Sequence, residues 1–286
     1  MGVWDYLGEP FAQHALLAGT LVAITSGLIG PFIVTRKMAF AVHGTAELSF
    51  TGAAAGLLVV GDPVAGALTG SIIVATAIGL LGVRERERDS AIGVILAFGL
   101  GVGVYLLSLY HGFATEATNI LFGQIFGVSS GQLLLLLAVA VGVLVAMTIL
   151  YRPLLFASVD PDVAEARGVR LRLVGLLFLF VLALTVTEAA QIVGTLLVLS
   201  LAITPAAAAQ RLAARPAVVT GLSVLFALLA CDGGLLASLQ SNTVKASVFI
   251  TAFSFGIYVV SRALGAALHL GRPASRQRWW RRGEWV

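Results

Sequence analysis

Two side chains that can bind a metal ion, His43 and Glu47, lie four residues apart in an apolar stretch of the sequence. On a helix this spacing places both on one face, one turn apart. An imidazole and a carboxylate together suit a borderline divalent cation such as zinc, and they also accept manganese or iron. The alternative is a hydrogen bond between the two groups that only stabilises helix packing. The spacing alone leaves both interpretations open.

A second polar pair, Glu188 and Gln191, lies three residues apart near the end of a later apolar run. Polar and charged groups inside a membrane are costly, and they usually face the protein interior or a water-filled path. This pair could line a pathway for an ion or hydrogen-bond a neighbouring helix, and hydrogen bonding is the simpler interpretation. Asp232, in the segment CDGG, is expected at the outer interface with no special role.

The sequence contains no pattern that indicates an enzyme. It has no GxxxxGK[ST] phosphate loop for ATP and no HExxH zinc site, and the apolar runs show no Ser/His dyad or aspartyl pair of an intramembrane hydrolase. Its single cysteine, Cys231, excludes an internal disulfide framework and a cysteine-based zinc cluster. We therefore predict a protein that is not an enzyme and has no covalently bound cofactor.

These polar groups are set in a very apolar chain. Of its 286 residues, 59% are hydrophobic and only 11% are charged, and its mean hydropathy is +0.99. A soluble domain carries about a quarter charged residues, so lipid must cover much of this surface. We predict an all-α, polytopic transmembrane helical bundle of about nine spans, or eight if one of the weaker runs does not cross. The predicted spans are 13–34, 40–60, 64–83, 90–110, 130–151, 172–192, 194–213, 217–238 and 244–267.

The basic residues predict the orientation of the spans. If the loop 84–89 is cytoplasmic, strict alternation places 17 of the 18 cationic residues on the same side, and only Lys245 falls outside. This is the positive-inside pattern of a cell-membrane protein. It predicts an external N-terminus and a cytoplasmic C-terminus.

The chain divides into a transmembrane domain, 1–271, and a basic tail, 272–286. The tail interleaves arginines with Trp279, Trp280 and Trp285. Directly after the last span, such residues are expected to contact anionic lipid headgroups and not nucleic acid.

Two backbone features are also predicted. Asp160 can cap a helix, Pro161 fits its first turn, Asp162 favours its positive end, and Gly168 can terminate it. A short polar helix between two spans is a docking element, or else only a solvated turn. Pro205 is expected to kink or break the seventh span.

Four segments resemble the permease subunits of zinc/manganese/iron ABC importers: FIVTRKMAF (32–40), ILFGQIFGVSSGQ (120–132), YRPLLFASVDPDVAEARGV (151–169) and QIVGTLLVLSLAITPAAAAQRL (191–212). The resemblance implies a fold related to that of cobalamin and siderophore importer permeases. It also implies that 160–168, with Asp160, Pro161, Asp162, Glu165, Arg167 and Gly168, is the coupling helix that sits in a groove of the ATP-binding subunit. The expected partners are that subunit, which hydrolyses ATP, a second permease copy, and an extracellular metal-binding protein.

The sequence departs from this family at one position pair. The family pattern has Asp and His four residues apart, where this chain has His43 and Glu47, so a nitrogen and a carboxylate ligand are kept in exchanged order. The resemblance therefore strengthens the prediction of a metal contact at this pair. We expect the permease of a divalent-metal importer, with zinc as the predicted ion. The alternatives are manganese or ferrous iron, a permease for iron-siderophore or cobalamin, and a membrane scaffold without transport.

Overall fold

The structure, a computed structural model, describes residues 8–81, 85–110, 123–195, 198–240 and 244–270. These residues form helices, turns and connecting segments, and no strand occurs among them. The helices are α1 (Pro10–Thr35), α2 (Ala39–Val59), α3 (Pro63–Leu81), α4 (Glu85–Ser108), α5 (Ser130–Val159), α6 (Pro161–Ala166), α7 (Leu171–Val193), α8 (Val198–Ala202), α9 (Thr204–Leu212), α10 (Pro216–Ser238) and α11 (Ala246–Leu270). A single 3-10 turn, Ile125–Gly127, precedes α5 in the chain.

Eight of the nine predicted spans each overlap one helix, and the seventh, 194–213, overlaps α8 and α9, which confirms the all-α bundle. Among the described residues, five helices are long and apolar enough to cross a membrane: α1, α5, α7, α10 and α11. Shorter apolar helices cover Pro63–Gly79, Ile92–Ser108 and Val198–Leu212. These are eight helical segments in the described residues, and α2, which belongs to neither group, is the ninth segment that overlaps a predicted span. The orientation remains a prediction, and the basic tail at 272–286 lies outside the described residues.

Two spans have boundaries that differ from the prediction. Helix α5 continues from the predicted end at 151 to Val159, although it contains Pro153. Helix α4 begins at Glu85 and so includes charged residues before its apolar part. Hydropathy marks where a helix leaves the apolar region, whereas the backbone hydrogen bonds continue until a residue such as Asp160 stops them.

Helix α2 has a central place because it packs against α3, α4 and α7. Glycines allow the closest of these approaches: a Cβ built on Gly66 of α3 would lie 2.7 Å from Gly56 Cα of α2. On the other side of the bundle, α1 packs against α5 and α10, and α10 packs against α9 and α11. In lipid, the hydrophobic effect does not drive helices together, so close van der Waals packing must do so. Small residues allow that packing because they let helix backbones approach each other.

The predicted break at Pro205 is confirmed. Helix α8 ends at Ala202, Ile203 has φ −114° and ψ −45°, and α9 begins at Thr204 with Pro205 in its first turn. Proline has no N–H to continue the hydrogen-bond ladder, and its ring clashes with the carbonyl four residues earlier. The short α8 lies inside the bundle, in contact with α1, α2, α7, α10 and α11.

Candidate metal-binding site

The side chains of His43 and Glu47 project from the first half of α2. Glu47 is 3% exposed, and His43 is partly buried and close enough to act on the carboxylate electrostatically. At 1.5 Å per residue, Glu47 lies about 12 Å along the helix from its start. The pair therefore lies inside the bundle and nearer to the predicted cytoplasmic end of α2.

Both members of this pair have free ligand atoms. His43 Nδ1 and Glu47 Oε2 are buried and have no hydrogen-bond partner among the described residues. An unpartnered polar group in an apolar interior is costly. Neither atom takes part in a hydrogen bond with the described residues, so both are available to a ligand.

One chain provides only a partial coordination shell. No group of three or more His, Cys, Asp or Glu side chains that could hold a metal occurs within the described segments. A structural zinc site needs four protein ligands. His43 and Glu47 alone fall short of that number.

Contacts of α2 with α4 hold this part of the helix in place. Thr51 Oγ1 donates a hydrogen bond of 2.7 Å to the carbonyl of Gly99. Thr45 Oγ1 donates to the Ala41 carbonyl within α2 at 2.7 Å, so this buried hydroxyl is satisfied locally. A Cβ on Gly44 would lie 2.8 Å from the side chain of Ile92, which shows how closely α4 approaches beside His43.

The second predicted pair, Glu188 and Gln191, lies near the end of α7. Glu188 is 1% exposed, and both of its carboxylate oxygens lack a hydrogen-bond partner in the described part of the chain. The same is true of Gln191 Nε2. The structure therefore shows no hydrogen bond from these atoms to a neighbouring described helix. Gln191 lines a cavity of about 260 Å³, whereas Glu188 is not part of its lining.

The cavity also involves residues to which the sequence analysis gave no role. Its polar lining includes Ser49 of α2, Gln124 before the 3-10 turn, Gln132 of α5 and Thr195 after α7. Gln124 and Gln132 belong to a segment that was noted only for its family resemblance. Their chemistry is unremarkable in sequence, and only the packing of α2, α3, α5 and α7 brings them together.

Asp232 has a more defined environment than expected. Its Oδ1 accepts a hydrogen bond of 3.3 Å from Thr20 Oγ1, which joins α10 to α1. The adjacent Cys231 is buried, and its thiol donates to the carbonyl of Gly19 at 3.4 Å. These contacts assign Asp232 a part in helix packing.

The short polar helix predicted after the fifth span is present as α6. Asp160 Oδ1 accepts a hydrogen bond of 3.1 Å from the Val163 N–H, which caps the helix start. Pro161 is its first residue, Asp162 lies in the first turn, and Gly168 follows its end with φ +85°. This φ lies in the region that glycine adopts without strain.

The exposed surface of α6 suits a docking element. Ala164 is buried and faces the bundle, in which α6 contacts α5 and α7. All of the predicted coupling residues lie exposed around it: Asp160, Pro161, Asp162, Glu165, Arg167 and Gly168. Helix α6 therefore exposes charged side chains on one side and packs the small Ala164 toward the bundle on the other.

Comparison with known proteins shows that the chain is similar to metal transporters. Residues 9–265 match the ABC 3 transport family. The chain is 30% identical over 258 residues to the manganese transport system membrane protein MntC of Halalkalibacterium halodurans, covering 87% of this chain and 88% of that protein. It is 27% identical over 254 residues to the high-affinity zinc uptake system membrane protein ZnuB of Haemophilus influenzae, covering 87% and 96%.

One solved structure supports the same grouping. PsaBC from Streptococcus pneumoniae in complex with Fab matches with a TM-score of 0.81 and 28% identity, over 91% of this chain and 94% of that chain. An inward-facing transporter of the metal-chelate ABC type matches with a TM-score of 0.63 over 87% and 84%, but at 16% identity. This second similarity concerns the fold alone, and it agrees with the predicted relation to chelate-importer permeases.

Proposed function

Because this chain belongs to the ABC 3 transport family, we propose that it is the membrane-spanning permease of an ATP-driven importer of divalent metal ions. Relatives that carry the names of manganese and zinc transport proteins support this assignment. The observation that carries it in this chain is the buried pair His43 and Glu47, whose free nitrogen and oxygen atoms lie one turn apart on α2.

A transport site must bind its ion and then release it. His43 and Glu47 supply two ligands, and a second copy of the chain would bring two more to a shared site. The imidazole orients the ion through a lone pair, and the carboxylate compensates part of its charge. With so few ligands, a small change in the distance between two helices strongly changes the affinity of the site for the ion. Alternating access requires such a change, because the site must bind the ion on one side of the membrane and release it on the other.

The energy for that change would come from a separate ATP-binding subunit. In the proposal this subunit contacts α6, whose exposed residues include Glu165 and Arg167. Movement of α6 would reach the bundle through α5 and α7, the two spans that it contacts. An extracellular metal-binding protein would deliver the ion on the opposite side.

The choice between zinc and manganese depends on the donor atoms. Imidazole favours zinc, whereas carboxylate oxygen also suits manganese. We keep zinc as the predicted ion. Because relatives of both names match the chain over similar lengths, zinc and manganese must be compared directly.

The test is uptake by proteoliposomes that contain the permease with its ATP-binding subunit and metal-binding protein. We expect ATP-dependent uptake of Zn²⁺ or Mn²⁺ but not of an iron chelate or cobalamin. His43→Ala and Glu47→Ala should abolish uptake while the complex stays assembled. His14→Ala on α1 is the matched control, because it removes a partly buried imidazole far along the chain from the pair. Normal uptake by both site variants would end the assignment of His43 and Glu47.

Coupling is tested in the same vesicles by the number of ATP molecules hydrolysed per ion imported. Glu165→Ala and Arg167→Ala should raise this number, because the ATP-binding subunit would turn over without moving the bundle. Arg215→Ala is the control, since it removes another exposed arginine beside a helix end. An unchanged ratio in both α6 variants would contradict the docking role.

A further inference from the structure

Two arginines from different helices meet at the surface of α11. Arg211 lies in the last turn of α9, and Arg262 lies on α11 near its end. Both side chains are exposed, and both act on the phenol of Tyr258 through hydrogen bonding and charge. Tyr258 lies four residues before Arg262, so these two share one face of α11. We call Arg211, Tyr258 and Arg262 the arginine cluster.

Close backbone packing holds the two arginines near each other. A Cβ built on Gly265 of α11 would lie 2.9 Å from the carbonyl oxygen of Arg211 and 3.4 Å from its Cβ. Gly265 is buried at this contact, where α9 packs against α11. The main chain of Arg211 is therefore fixed beside α11, about one turn from Arg262. The two arginines stay neighbours in any of their side-chain rotamers.

The two positive charges have no carboxylate beside them. Between 198 and 270 the sequence has a single acidic residue, Asp232. It lies on α10 about 24 Å along the helix from Pro216, where it accepts a hydrogen bond from Thr20. Among the described residues, the only charged groups that act on Tyr258 are the two arginines. Like charges repel each other, so the cluster favours a bound anion.

An exposed apolar strip on α11 leads to the cluster. Phe255 lies three residues before Tyr258, and Val259 lies three residues before Arg262, so all four share a face of the helix. Phe255 is 63% exposed and Val259 is 47% exposed. They belong to a helix that is long and apolar enough to cross a membrane. A strip of this kind that ends at two positive charges matches an acyl chain that ends in an anionic headgroup.

The cluster also lies at the depth of lipid headgroups. The apolar span of α11 covers Ala246–Ala267, so Arg262 lies about 8 Å from its end. An arginine at this depth can extend its guanidinium to the membrane surface while its stem covers apolar groups. Helix α9 ends at Leu212 and α10 begins at Pro216, so both have an end near this level. Tyrosine is frequent at the same interface because its ring is amphipathic.

We propose that the arginine cluster binds the headgroup of an anionic phospholipid whose acyl chain lies along Phe255 and Val259. Each guanidinium can form two parallel hydrogen bonds with a phosphate, and Tyr258 positions both arginines for that contact. Basic pockets between spans bind lipid headgroups in this way. The site is separate from the predicted attraction of the tail 272–286 to the membrane surface. It does not depend on the metal pair, which belongs to α2.

The test is native mass spectrometry of the full-length permease in detergent, titrated with phosphatidylglycerol or with phosphatidylcholine of the same acyl chains. The wild type should bind the first phosphatidylglycerol more tightly than the first phosphatidylcholine. Arg211→Gln with Arg262→Gln should weaken the phosphatidylglycerol step about tenfold and should change the phosphatidylcholine step little. Tyr258→Phe should weaken the same step by less, because both charges remain.

Arg215→Gln is the matched control. It removes an exposed arginine at the start of α10, and Arg215 is not among the groups that act on Tyr258. It should leave the preference for phosphatidylglycerol unchanged. Every variant keeps the tail 272–286, so attraction of lipid to the tail cancels in the comparison.

Thermal unfolding in nanodiscs provides a second measurement. A ligand that binds the folded protein raises its melting temperature. Phosphatidylglycerol nanodiscs should therefore stabilise the wild type and Arg215→Gln relative to phosphatidylcholine nanodiscs. The double variant should show a smaller difference between the two lipids. This comparison within one variant is valid even if the substitutions lower its stability in both lipids.

Three results would overturn the lipid site. The first is a double variant that binds phosphatidylglycerol as tightly as Arg215→Gln does. The second is displacement of the bound lipid by glycerol 3-phosphate at equal concentration, which would indicate a phosphate site without an acyl contact. The third is a changed ratio of monomer to dimer with unchanged lipid binding, which would assign this face to a second copy of the chain. In each case metal uptake through His43 and Glu47 is tested separately.

Discussion

The crossing of α2 and α3 makes the substitution Gly66→Ala a sharp test of the structure. The new Cβ would lie 2.7 Å from Gly56 Cα and 2.9 Å from Gly56 N. Carbon atoms in contact prefer 3.5 to 4.0 Å, so the two helices would have to separate by about 1 Å. The Gly52 carbonyl oxygen of α2 also obstructs the new Cβ, and all three atoms belong to the backbone, so no side-chain rotation relieves the contact.

The expected cost follows from this forced separation. Overpacking a well-packed interior costs about 1–3 kcal/mol, and here the strain acts on the helix that carries His43 and Glu47. We therefore expect Gly66→Ala to lower the melting temperature of the permease by several degrees and to reduce metal uptake. In the proposed function, uptake should fall because a shift of α2 moves His43 and Glu47 relative to the ligands that a second copy would supply.

The assay combines thermal unfolding in nanodiscs with uptake by proteoliposomes. Gly101→Ala on α4 is the matched control, because a Cβ there would have no neighbour within 4 Å. That change should be neutral or slightly stabilising, since alanine is the better helix former by about 1 kcal/mol. A Gly66→Ala permease that melts and transports like Gly101→Ala would refute the close crossing of α2 and α3.

Three further predictions concern helix contacts outside that crossing. Thr51→Val removes the hydrogen bond to the Gly99 carbonyl, and it should lower the free energy of unfolding by about 1 kcal/mol. Thr148→Val removes a hydrogen bond within its own helix, and it should lower the free energy of unfolding by less in the same measurement. Asp160→Ala removes the cap of α6 and should destabilise this helix by about 1 kcal/mol. The amide hydrogens of 161–166 should then exchange faster than in the wild type. Exchange at the wild-type rate would contradict the cap. The Cys231 thiol, buried between α10 and α1, should react with a maleimide only when these helices separate, so rapid labelling of the folded protein would refute that packing.

The sequence could predict features that depend on neighbouring residues along the chain. Nine apolar runs indicated the helices, because a chain in lipid must satisfy its backbone polar groups within each segment. The cap at Asp160 and the break at Pro205 were predicted correctly for the same reason, since each acts within one helical turn. The end of α5 was misplaced because hydropathy reports the surroundings of a helix and not its hydrogen bonds.

At the candidate site, too, the sequence predicted what depends on neighbouring residues, and the structure was needed for contacts between helices. The i,i+4 spacing of His43 and Glu47 already placed them on one face of a helix, but whether their polar atoms were paired depended on the helices around them. For Glu188 and Gln191, the sequence favoured bonding to a neighbouring helix. The structure shows buried Glu188 oxygens and a Gln191 Nε2 without such a partner in the described part of the chain.

By itself, the sequence determined a membrane bundle, the short helix α6, the interruption at Pro205 and the face that carries His43 and Glu47. The tertiary structure alone decided that Gly56 meets Gly66 and that Gln124, Gln191 and Thr195 share a cavity. The physical reason is the distance along the chain over which each interaction acts. Helix formation and capping act over a few residues, whereas a cavity exists only where segments distant in sequence pack against one another.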